Sequence, residues 1–274
     1  PVAGLVLWLR SALEGNYLQA LQFAGPVLAT TLAGCLLAIR WAVEQFNSES
    51  VLFRESERLD LRLWLHHLVE DRGPTPTAAE AVFCGVVILV VHFFLSLKAS
   101  PQTDFAGFAV QAAVTQLTVV LTPALLMTVV LTASPRQTLL LRWPRWFVLP
   151  AAALLAVAVH PAVNLLQVAV MRLYPLSEEM QQALAGLEGV FKEPPWWQVV
   201  LVVALLPAVC EELAFRGFIF SGLRKSGSPW RAIVVSAVFF GLSHGILQQS
   251  MIAGLIGVLL GWLAFQTGSI LPGM

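Results

Sequence analysis

The stretch WWQVVLVVALLPAVCEELAFRGFIFSGLRKSGSPWRAIVVSAVFFGLSH, residues 196–244, decides how this chain is read. It holds two apolar runs joined by a short basic loop. Crossing a membrane takes about 20 mostly apolar residues in a helix, and runs of this kind suit that environment. Three charges, Glu211, Glu212 and Arg216, stand inside the first run. A charge at the bilayer centre costs at least ~2.5–3.5 kcal/mol, so such residues face a bundle interior or a wet cavity.

Helical spacing separates the three. Residues four apart share a face, which lets Glu212 pair with Arg216. Glu211 points about 100° away from Glu212, following 3.6 residues per turn, and is left over. The hairpin midpoint lies near residue 227. Glu211 is 16 residues before it (227 − 211) and His244 is 17 after it (244 − 227). At about 1.5 Å per residue the two reach a similar depth, so Glu211 is expected to face His244 and a water. Phe240 shares a face with His244 and would wall the site. Ser243 is a weaker candidate, because Ser in an apolar helix bonds back to its own backbone and no GxSxG elbow is present.

A carboxylate and an imidazole at one level suit general-base chemistry. The residues alone leave other readings open: an ion or transport path, or charges that only pack. A zinc site of Glu and His ligands is a further reading, although no HExxH is present.

The rest of the chain agrees with a membrane setting. It is 58% hydrophobic and 12% charged, against roughly 25% charged in soluble domains. Formal net charge is zero, so no basic face points to nucleic acid. Cys35, Cys84 and Cys210 are far apart, lie in or beside apolar runs, and form no CxxC or Cys/His metal spacing. Cys35 and Cys84 read as small membrane hydrophobes.

The fold expected is all-α, a polytopic transmembrane helical bundle of about seven spans. They are 20–43, 81–97, 106–131, 146–171, 196–221, 230–247 and 250–271. From Ala232 onward there is no Asp, Glu, Lys or Arg, and GILQQS (245–250) is the expected break in that long apolar run. Residues 2–13 are too short to span and suit the interface. The loops 132–145 (Arg136, Arg142, Arg145) and 222–231 (Arg224, Lys225, Arg231) are basic and two spans apart. They are therefore expected on one side, the cytoplasmic one. The loop 172–195 is acidic and falls outside. Trp143, Trp146, Trp196, Trp197 and Trp230 lie near span ends, as an aromatic belt would place them.

Segment 44–78 is the one clear polar break and is expected to form a surface helix to about Arg72. GPTPT then acts as linker and helix start. A domain boundary is placed there, giving units 1–72 and 73–274.

Glu211-Glu212-x-x-x-Arg216 followed by Phe240-x-x-x-His244 resembles the first two motifs of the CPBP family, also called the ABI family. It groups intramembrane proteases and bacteriocin-processing proteins with type II CAAX prenyl endopeptidases, and the resemblance covers roughly residues 80–274. It implies a glutamate-dependent, metal-independent peptidase without cofactor, in which Glu211 activates water with help from His244. Glu212 and Arg216 would support the site. The substrate implied is a peptide or a membrane-protein tail, and the location is the bacterial inner membrane.

The family's third motif, HxxxN or HxxxD, follows a GSI-x-x-P-like stretch, and its residues stabilise the oxyanion. This sequence runs to GSILPGM (268–274). It begins at Pro1 and reads as a piece of a longer protein. His160-Pro-Ala-Val-Asn164 fits HxxxN by spacing but precedes the other motifs. It is either part of the site wall or a Pro-kinked helix with satisfied polar groups. His92 reads as a packed or interfacial histidine.

AIRWAVEQFNSESVLFRESERLDL (38–61) resembles the tail of ABC-2 permeases of the sodium-exporter kind. That implies a permease remnant over residues 1–72. No ATP-binding motif is present, so any ABC ATPase partner would be a separate subunit. The alternative function is then a permease subunit or a catalytically inactive membrane scaffold.

Overall fold

The structure is a computed structural model that describes residues 72–97 and 102–274, together with Gly15, Tyr17, Leu21, Ala24, Gly25, Leu28 and Leu32. The chain divides into two compact units, Pro1–Trp64 and Leu65–Met274. Most of the expected span 20–43, the interfacial stretch 2–13, Cys35 and the polar helix before Arg72 lie outside the described residues.

The second unit is helical. Helix α1 is Ala78–Ser96. It begins with a capping box: the Glu80 amide donates to Thr77 Oγ1 and the Thr77 amide to Glu80 Oε2. Two otherwise orphaned N–H groups are thereby satisfied. Helix α2 runs Phe105–Leu131, α3 Val148–Leu173 and α4 Glu178–Val190. Ser177 caps α4 by accepting from the Met180 amide. Helix α5 is Trp196–Leu223, α6 Pro229–Leu242 and α7 Leu247–Thr267. Among the described residues there is no strand, only an isolated bridge between Gly73 and Thr132.

Two long helices widen into π-helical turns just ahead of a proline. In α2 the stretch is Thr115–Leu121, before Pro123. In α5 it is Val200–Leu205, before Pro207. Proline has no N–H and its ring pushes away the carbonyl four residues back, so the ladder opens there. In α2 the Thr122 hydroxyl donates to the Leu117 carbonyl five residues earlier, at 2.6 Å.

The all-helical membrane class is as expected, while the count of seven spans is not confirmed. Among the described residues five helices are long and apolar enough to cross: α1, α2, α3, α5 and α7. Helix α6 has 14 residues, or about 21 Å at 1.5 Å per residue, short of a hydrocarbon core of about 30 Å. The expected helix 230–247 ends at Leu242. Gly245, with φ +72°, turns the chain and α7 begins at Leu247. The break is therefore 243–246 rather than 245–250.

Helix α5 is the centre of the unit. Its Phe215, Phe218, Ile219 and Phe220 are fully buried against Cys84 and Ile88 of α1, Val120 and Ala124 of α2, and Ile233 and Phe240 of α6. Cys84 and Cys210 are free and buried, as packing residues would be. The two basic loops meet at one end of the bundle, as expected. Leu139 abuts Gly217, the Ala133 amide donates to the Gly73 carbonyl, and Lys225 Nζ donates to the Thr75 carbonyl at 2.8 Å.

Helices α6 and α7 approach closely, as small residues allow where lipid offers no hydrophobic drive to association. A Cβ on Gly241 would stand 2.6 Å from the Ser250 carbonyl oxygen and 3.1 Å from Gly254 Cα. Both obstacles are backbone, so Gly241→Val is expected to force the hairpin apart. Its cost is about 1–3 kcal/mol, the usual range for overpacking. Thermal unfolding in detergent measures it, and an unchanged midpoint would show that the two backbones do not meet there.

Candidate active site on helix α5

The three charges of CEELAFRGF take different surroundings. Glu212 and Arg216 are buried, with 2% and 1% of their surface exposed. Arg216 Nη1 lies 3.1 Å from Glu212 Oε1, the expected i,i+4 pair. The guanidinium also lies over Phe240, with Cζ 4.0 Å from the ring centroid, and Nη2 donates to the Gly257 carbonyl of α7 at 3.4 Å. One cation thus ties α5 to both helices of the following hairpin. Phe240 also meets Phe215 edge-on at 5.4 Å.

Arg216 and Phe240 each lie 12 residues from Ser228 (228 − 216 and 240 − 228), and they touch. One turn further, the His244 ring packs against Phe240 with centroids 4.9 Å apart. His244 Nδ1 lies 2.9 Å from the Phe240 carbonyl. A carbonyl only accepts, so Nδ1 donates and Nε2 is the ring nitrogen left for other chemistry. The Ser243 hydroxyl donates to the same carbonyl at 2.8 Å. This is the backward bond expected of it.

Glu211 has a different partner from the one expected. It is half-buried, and Oε1 accepts from Gln116 Nε2 of α2 at 2.9 Å. No hydrogen bond or ion pair joins Glu211 to His244 among the described residues. The reason is the helical offset: with Glu212 turned toward α6 and α7, Glu211 turns toward α2. Gln116 was not singled out in the sequence. The one available signal was an amide side chain inside an apolar span.

A cavity of about 1030 Å³ lies between the start of α2, helix α4 and the first half of α5. Gln111, Thr115 and Gln116 of α2 line it, with Gln182 of α4 and Val203 and Pro207 of α5. Glu211 stands one turn beyond Pro207, and its bond to Gln116 joins it to a residue of the cavity wall. Phe191, just past α4, packs edge-on against Phe105 and Phe108 of α2 with centroids 6.3 and 5.0 Å away. These contacts hold α4 over the cavity.

Two other residues take places that spacing alone did not assign. His92 lies beside the turn that carries His244, with Cε1 3.8 Å from where a Gly245 Cβ would be. It lines a second cavity shared with Gln102, Gln111 and Thr115. It is therefore next to the candidate site rather than remote from it. Gly273 lies against the Glu212 carboxylate, since a Cβ there would be 2.5 Å from Oε2.

His160 and Asn164 are exposed on α3 and bonded to each other at 3.1 Å. His160 lines a groove with Leu271, Pro272 and Gly273, separate from the cavity that ends at Glu211. Neither touches Glu211 or His244.

Residues 193–274 match the family model described as "Type II CAAX prenyl endopeptidase Rce1-like". This region is similar to the Rce1-like endopeptidases. No curated protein and no solved structure matches the chain. The Rce1-like region takes in Glu211, Glu212, Arg216, Phe240 and His244, while Gln116 and His92 lie before it. The match does not extend to residues 1–72, where the permease resemblance was read. Together the family match and the apolar helices indicate a multi-pass membrane protein in which residues 193–274 are similar to an intramembrane CAAX-type protease.

Proposed function

We propose that this protein is an intramembrane endopeptidase in which Glu211 activates the water that hydrolyses a peptide bond, without a metal. The observation that carries the reading is the separation of the two glutamates. Glu212 is committed to Arg216, whereas Glu211 is half-buried and bonded to Gln116, a residue that lines a large cavity. The other Glu211 oxygen, Oε2, has no hydrogen-bond partner among the described residues.

In the proposed step Glu211 takes a proton from water as the water oxygen attacks the scissile carbonyl carbon. The same proton then passes to the leaving amine nitrogen as the C–N bond breaks. His244, through Nε2, would hold the water or carry the proton. The substrate proposed is a peptide or a membrane-protein tail, and the setting is the bacterial inner membrane.

The test uses the full chain in nanodiscs and a synthetic peptide library, half of it bearing a farnesylated cysteine near the C-terminus. Cleavage products are read by mass spectrometry, with and without EDTA and 1,10-phenanthroline. Cleavage that persists at full rate in both chelators is expected. Chelator-sensitive cleavage would overturn the metal-free step. No cleavage of any peptide would overturn the protease reading in favour of an inactive scaffold.

A further inference from the structure

We propose that Gln116 is a positioning residue for Glu211, and that the cavity it lines holds the peptide segment of the substrate. The inference rests on the reading of Glu211 as the base and adds to it a residue and a binding place, both largely outside the Rce1-like region.

The geometry carries it in three steps. First, a carboxylate on a helix has free torsions, and its reactive oxygen is directed only if the other oxygen is held. Gln116 Nε2 holds Oε1 at 2.9 Å, which leaves Oε2 as the proton acceptor. Second, Gln116 sits in the π-helical turn before Pro123. A π turn has a wider pitch in residues than an α turn and shifts the face that follows, which accounts for a lone amide reaching α5 from α2. Gln116 Oε1 is buried and has no hydrogen-bond partner. A buried amide oxygen without a partner costs stability, so this side chain is not placed for stability alone.

Third, the cavity wall continues from Gln116 through Thr115 and Gln111 to Gln182. Amide and hydroxyl side chains both donate and accept. They match the alternating N–H and C=O groups of an extended peptide, and the apolar lining between them takes its side chains. Asp104 and Glu193 also line it, so the cavity suits an extended peptide segment that is neutral or basic and leads to the bond cut beside Glu211.

Two variants separate positioning from binding. Gln116→Met keeps the side-chain length and removes the donor. Gly186→Trp fills the cavity from α4, where nothing lies within 4 Å of the added Cβ. Both are measured in nanodiscs on the library peptide that the parent protein cleaves fastest. Gln116→Met is expected to lower kcat about tenfold or more with KM within about twofold, as misplacement of a catalytic group does. Gly186→Trp is expected to raise KM about tenfold with kcat little changed.

Should Gln116→Met fail to fold by thermal unfolding, Gln116→Asn, one methylene too short to reach, carries the same expectation. A kcat within about twofold of the parent in the folded variant overturns the positioning role. An unchanged KM in Gly186→Trp overturns the cavity. If Glu211→Gln itself still cleaves, the base assignment fails and this inference with it. If Glu211→Gln is dead while Gln116→Met is normal, only this inference fails.

Discussion

Glu211→Gln is expected to abolish peptide cleavage while leaving the fold intact. The substitution keeps the size of the side chain, and its amide oxygen can still accept from Gln116, so α2 and α5 stay joined. What is lost is the group that takes the proton from water, and general-base catalysis is worth ~10²–10⁴ in rate. His244→Ala is expected to fall in the same direction. It removes Nε2 and the ring that packs on Phe240, while α6 keeps its own backbone bonds. The measurement is the initial rate on the fastest library peptide, taken beside the unfolding midpoint of each variant. Two folded variants that cleave at the parent rate would sink the assignment of both residues.

The largest effect on stability is expected at Arg216. Its guanidinium is buried among Glu212, Phe240 and Gly257. Arg216→Ala leaves the Glu212 carboxylate enclosed, covered by Gly273 and without its cation. Breaking a buried pair by removing one partner costs ~3–5 kcal/mol, which lowers the unfolding midpoint by on the order of 10 °C in a domain of this size. Replacing both partners, as Glu212→Gln with Arg216→Met, removes the unpaired charge and is expected to recover much of that loss. A midpoint unchanged in Arg216→Ala would show that the pair does not hold α5 to the hairpin. A double variant as unstable as the single one would show that the loss is not electrostatic.

The Glu212–Arg216 pair and the Phe240–His244 stack were legible in the sequence because each pair is four residues apart, within or just past the end of one helix, where spacing fixes direction. The meeting of α5 with α6 was legible too. A short loop forces antiparallel neighbours, and counting residues from the loop sets their common depth. Glu211's partner was not legible. Gln116 is 95 positions away, on a helix whose contact with α5 depends on how the π turns before Pro123 and Pro207 re-aim each face. The end of α6 was also missed: 230–247 is uniformly apolar, and only the backbone turn at Gly245 shows where the helix stops.

Composition and helical spacing were enough for a helical membrane protein and for the division of its charges into a pair and a remaining acid. Those follow from hydrophobic length and helical period, which are local properties of the chain. Only the tertiary structure decided that Glu211 turns to α2, that Gly273 covers Glu212, and that His160 and Asn164 stand apart on α3. Each of those depends on which helix packs against which face. In an apolar medium many faces are alike in hydrophobicity, so the choice falls to close backbone approach at glycines and to a few polar contacts between distant segments.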